Sequence, residues 1–266
     1  MDREIRDKKR VVNSLAAGFV FLLFMWFAAS AGIAAQEQSA PAKHPGHEGM
    51  NMTMAMPTDP AELAKLEAKV LADKRESEFN HHLAGFFVMV AGLVILFQSK
   101  LERRWRGVKY VWAACFLLAG LFVFVWSDTE LWPFGQRQWL EALQNNREVL
   151  QHKTFAVLLL AVGVIEWQKS RGALRTAWSN WVFPVIAILG SVLLIFHHHE
   201  GGMVGEHHME TMERIQAQHM SYLACGLGIG LANGLSGANA RLNGVFRKVW
   251  PALMVVLGVL LMFYRE

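Results

Sequence analysis

Six apolar segments, each about 16 to 20 residues long, follow one another at roughly residues 81–98, 108–126, 150–167, 178–197, 219–236 and 249–264. That length is close to what a helix needs to cross the hydrocarbon core of a bilayer. In lipid a helix satisfies its own backbone hydrogen bonds, whereas an open strand leaves half of them exposed. The spacing therefore predicts an all-α, polytopic helical membrane bundle with six spans. Composition agrees, because the chain is 53% hydrophobic with a mean hydropathy of +0.24 and carries its charges in blocks.

Ahead of the bundle, residues 1–35 have the pattern of a secretory signal peptide. A Lys/Arg-rich start precedes an apolar stretch from Leu15 to Ala29, then small residues from Ala31 to Ala35. The segment is either cleaved near Ala35 or retained as an anchor. Residues 36–60 hold four prolines and no apolar periodicity, which predicts a flexible Met/His-rich tail. Leu63, Leu66 and Val70 then fall at helical spacing behind Asp59, a good N-cap. This predicts an amphipathic helix over 61–79 that lies on the membrane surface or runs directly into the first span. Residues 80–266 form the six-helix transmembrane domain.

The loops set the expected orientation. Those at 99–109, 168–177 and 237–248 contain eleven Lys or Arg, against only Arg137, Arg147 and Arg214 in 127–149 and 198–218. By the positive-inside rule the first group is cytoplasmic and the second external. A signal segment places such a chain in a bacterial inner membrane, with the mature N-terminus on the periplasmic side. Trp and Tyr at the segment ends, among them Trp105, Tyr110, Trp126, Trp139 and Trp178, match an interfacial belt. The net charge of +4 is this loop bias, and no basic-aromatic stripe suggests nucleic acid.

On that topology all eleven histidines fall on the external side. His81 and His82 open the first span, His152 the third and His219 the fifth, while His197 closes the fourth. Four helices thus bring imidazoles to one level, where they could gather round an ion. Two external segments add donors. The tail carries His44, His47, Met50, Met52, Met54 and Met56, and the loop after the fourth span carries His198, His199, His207, His208 and Met212. His208, Met212 and His219 share one helical face. Met89 lies two turns below His81, either along an inward path or as ordinary packing.

Imidazole with carboxylate suits Zn(II) or Cu(II), and imidazole with several thioethers suits Cu(I). Copper is favoured because methionine accompanies histidine in both external clusters. A haem with axial histidines is the alternative. A His-Glu-x-x-His hydrolase motif is not completed, since Met203 stands where the second histidine belongs. No catalytic residue is assigned. Cys115 and Cys225 lie in opposite halves of the bilayer and are expected to be unbridged.

The segment Phe79-Asn80-His81-His82-Leu83-Ala84-Gly85, His152, and the histidines around the fourth and fifth spans resemble the copper resistance protein D family over about residues 79–264. The resemblance implies copper handling, resistance or transport at the inner membrane. The expected partners are the copper ion, a periplasmic copper carrier and the bilayer. Gly226, Gly230 and Gly234 predict close packing of the fifth helix and a central place for it. Glu166 is expected to be the sole acidic or basic residue within the spans.

Overall fold

A computed structural model describes residues 59–131, 133–196, 208–238 and 240–265. Among them there is no β-strand, only one isolated bridge between Leu131 and Arg137. The helices are α1 (Pro60–Leu101), α2 (Val111–Trp126), α3 (Trp139–Asn145), α4 (Arg147–Ser170), α5 (Ser179–Leu193), α6 (His208–Ala238) and α7 (Ala240–Met262). Single 3₁₀ segments precede α2 and extend α5.

Local chemistry starts these helices where they start. Asp59 Oδ1 accepts from Ala61 N at 2.9 Å and Pro60 occupies the first turn, so α1 begins at its predicted cap. No break separates its polar first half from the first span, and the amphipathic segment runs directly into the membrane helix. Asn146 Oδ1 accepts from Val149 N at 2.9 Å and caps α4. That cap places Gln151, His152 and Lys153 in the second turn.

Five of the described helices are long and apolar enough to cross a membrane: α1, α2 with its 3₁₀ lead, α4, α5 with its extension, and α7. The sixth predicted span lies in α6, where Gly226, Gly228, Gly230, Gly234 and Asn233 dilute the hydropathy. The protein is an all-α membrane bundle, and its span count is close to six. Large apolar side chains face outward, among them Phe86, Leu93 and Phe97 on α1, Leu118 and Leu121 on α2, and Leu231 on α6. A water-soluble fold would bury such a surface.

The long helices close into a ring. Each packs on its chain neighbours, α1 on α2, α2 on α4, α4 on α5, α5 on α6 and α6 on α7, and α7 returns to α1. Among the described residues no helix occupies the centre, so α6 is one wall among six rather than the axis that its glycines predict. Those glycines do pack closely: a Cβ on Gly226 would meet Ser191 Oγ, and one on Gly230 would come within 2.8 Å of Pro184 O. The α1/α7 seam is equally tight. A Cβ on Gly85 would lie 2.6 Å from Gly258 O, and one on Gly258 would lie 2.6 Å from both Gly85 O and Met89 Cβ. Only glycine lets the backbones approach this far in the absence of a hydrophobic driving force. Met89 is part of this seam.

Candidate functional site

The ring encloses a cavity of about 760 Å³, reached from the end where α4 and α6 begin. Its mouth is polar, with Asp73, Glu76, Asn80, His81, Asp128, Glu148, His152, Met212 and His219 on its rim. Five carboxylates and two basic side chains line it, a balance that favours cations. Below, the lining turns apolar through Leu158, Val162, Ile229, Met254 and Leu257.

Of the predicted ring, His81, His152 and His219 reach this one cavity, from α1, α4 and α6. Their surroundings differ. His81 Nδ1 donates to Ser77 O at 2.8 Å, which leaves Nε2 as the lone-pair nitrogen of the neutral ring. The ring stacks on Tyr264 at 3.9 Å, and its centroid is 6.3 Å from that of His219. Tyr264, fully buried, also lies 6.2 Å from His219. His82 turns elsewhere, its Nε2 donating to Tyr264 O at 3.0 Å. It therefore holds the C-terminal segment in place, together with Gln218, which pairs with both backbone groups of Arg265 at 2.8 and 3.1 Å.

His152 is held by an ion network. Its Nδ1 lies 3.0 Å from Asp128 Oδ1, and the other carboxylate oxygen is 2.7 Å from Lys153 Nζ. Lys153 also donates to Phe124 O at 2.9 Å and to Ser127 Oγ at 3.2 Å, beneath the ring of Trp139 at 5.1 Å. Burial opposes ionisation of Asp128 most strongly. The hydrogen bond from His152 and the charges of His152 and Lys153 together outweigh it, holding the carboxyl at about 2. The carboxylate fixes the orientation of His152 in the way that a carboxylate behind a metal-binding imidazole does.

Met212 lies on the cavity side of α6, two turns before His219. His44, His47, Met50, Met52, Met54, Met56, His197, His198, His199 and His207 lie outside the described residues, as does the side chain of His208. Among the described residues no three His, Cys, Asp or Glu side chains gather closely enough to hold a metal ion. Cys115 and Cys225 are both unbridged.

Sequence reasoning missed three features of the site. Lys153 is a second ionisable residue within the spans, so Glu166 is not alone there. It stands beside His152 in an apolar run, a signal that an intramembrane cation always carries. Asp128 had no comparable signal, being one polar residue just beyond a span. Tyr264 belongs to the rim only because α7 brings the chain end back beside α1. Glu166 itself is buried against Lys169 Nζ at 2.8 Å, at the opposite end of the bundle. In comparisons with protein families, with curated proteins and with solved structures, nothing matches this chain.

Proposed function

We propose that this protein captures copper at the periplasmic face of a bacterial inner membrane and handles it at the mouth of the bundle, passing it across or on to a periplasmic carrier. One observation supports this most: imidazoles from three helices and the Met212 thioether line the carboxylate-rich mouth of a single cavity. Imidazole and thioether form the donor set that suits Cu(I), and carboxylate with imidazole suits Cu(II).

His81 and His219 are the neighbouring imidazole pair. An ion between them takes its remaining donors from the histidines and methionines at 197–212 and in the tail at 44–56. His152, tethered to Asp128, serves as a separate acceptor at the same rim. Copper supplies the affinity, while the chain orients imidazoles and excludes competing water.

Elemental analysis and a visible spectrum on one purified sample test the reading. Bound copper without a Soret band is expected, as is a lower copper stoichiometry in a His81→Ala/His219→Ala variant of unchanged melting temperature. A Soret band, or full copper stoichiometry in that variant, overturns it.

A further inference from the structure

His81 and His219 stand on helices that each pack along α7 rather than along each other. The distance between the two imidazoles at the rim is therefore decided by α7 and by the residues that follow it. On the α6 side, Leu260 O accepts from Tyr222 Oη at 3.4 Å. On the α1 side, a Cβ on Gly85 would lie 2.7 Å from Leu261 Cβ and 3.0 Å from Met262 N. α7 thus stays against both neighbours up to its last turn.

Beyond Met262 the chain end is fastened at two points, each one residue from a histidine of the pair. His82, next to His81, donates from Nε2 to Tyr264 O at 3.0 Å. Gln218, next to His219, holds both backbone groups of Arg265 at 2.8 and 3.1 Å. Successive helical residues differ in height by only about 1.5 Å, so both fastenings lie at the level of the imidazoles. The Tyr264 ring is fully buried and inclined 23° to each of them, its centroid 3.9 Å from that of His81 and 6.2 Å from that of His219. A rigid ring enclosed in this way cannot shift without moving what packs on it.

We propose that Tyr264 is a positioning residue of the copper site, an inference that rests on the copper reading above. Pinned between α1 and α6, its ring sets the separation and tilt of the two imidazoles, whose centroids lie 6.3 Å apart at 39°. The chain end is thereby part of the site without supplying a ligand to it.

The test uses the full chain in detergent. Tyr264→Leu keeps an apolar side chain and loses the flat ring, whereas Tyr264→Phe keeps the ring. In metal-free protein with labelled histidine, a nuclear Overhauser contact between the His81 and His219 rings is expected in the wild type and in Tyr264→Phe, and its loss in Tyr264→Leu. Copper affinity, measured by competition with a chelator, should fall about 10–100-fold in Tyr264→Leu, the usual effect of removing a group that orients a ligand, and return in Tyr264→Phe. His82→Ala/Gln218→Ala, which keeps the ring and removes both fastenings, should reproduce the loss, and it decides the matter if Tyr264→Leu does not fold. Ile165→Ala truncates an equally buried side chain, packed with Leu174 and Val182 at the opposite end, and should keep wild-type affinity.

An imidazole contact absent from the wild type or surviving in Tyr264→Leu overturns the proposal. So does wild-type affinity in either weakened variant, or an equal loss in Tyr264→Phe or Ile165→Ala. Wild-type protein that binds no copper overturns the copper reading instead, and the imidazole contact, read without metal, then still decides whether Tyr264 holds the pair.

Discussion

Replacing Asp128 by Asn keeps the shape of the side chain and removes the charge on which Lys153 depends. Lys153 is 2% exposed and Asp128 8%, so water cannot take over the lost partner. Phe124 O and Ser127 Oγ would remain as neutral acceptors for the ammonium. Breaking a buried ion pair by removing one partner typically costs about 3–5 kcal/mol. The titration of Asp128 gives an independent figure. A fall from the ordinary 3.8 to about 2 corresponds to about 2.4 kcal/mol at about 1.36 kcal/mol per tenfold change. Both routes put the loss near 3 kcal/mol, or roughly 6–12 °C in melting temperature for a chain of this size. Asp128→Asn/Lys153→Met removes both charges, so it should regain most of that loss. Thermal unfolding of the four proteins of this cycle in one detergent is the assay. A depressed carboxyl stabilises above its unfolded value and stops doing so as pH falls through its folded value. Wild-type stability should therefore decline between about pH 4 and pH 2 through this group, and that component should be missing in Asp128→Asn. A loss under about 1 kcal/mol in the single variant, or a double variant no more stable than the single, would refute the reasoning.

Other perturbations separate packing from binding. Gly258→Leu should prevent assembly of the α1/α7 seam, seen as loss of folded protein on size-exclusion chromatography, because its Cβ would sit 2.6 Å from Gly85 O. Gly244→Ala, where nothing lies within 4 Å, should instead raise stability by up to about 1 kcal/mol in thermal unfolding. His82→Ala should free the C-terminal segment to faster proteolysis or hydrogen exchange while copper stoichiometry stays at the wild-type value. Tyr264→Ala removes a fully buried aromatic ring and should cost about 3–5 kcal/mol of stability in the same thermal assay.

The helical membrane architecture is legible in the order of residues, because hydrocarbon leaves a chain of alternating apolar and charged blocks few alternatives. The N-cap at Asp59 is legible for a similar reason, since capping is settled within four residues. Gly226 and Gly230 are packing positions, as their spacing predicts. What that spacing does not convey is that the bundle closes as a ring, which depends on α7 meeting α1 across more than 150 residues of sequence. The histidines show the same division. Their common level follows from where they sit in each span, but the direction each ring faces depends on neighbours distant in sequence. Tyr264 takes His82, Asp128 takes His152, and His81 and His219 remain adjacent.

Apolar length and charge placement are local properties that a bilayer reads directly, so a polytopic helical bundle with His81, His82, His152 and His219 at one end follows from the amino-acid order alone. The closed ring around a cavity and the buried Asp128–Lys153 pair that orients His152 are products of packing in three dimensions. They arise where side chains from separate helices meet in a low-dielectric interior, in which an unpaired charge or carbonyl is costly. Their partners are therefore set by packing rather than by spacing along the chain.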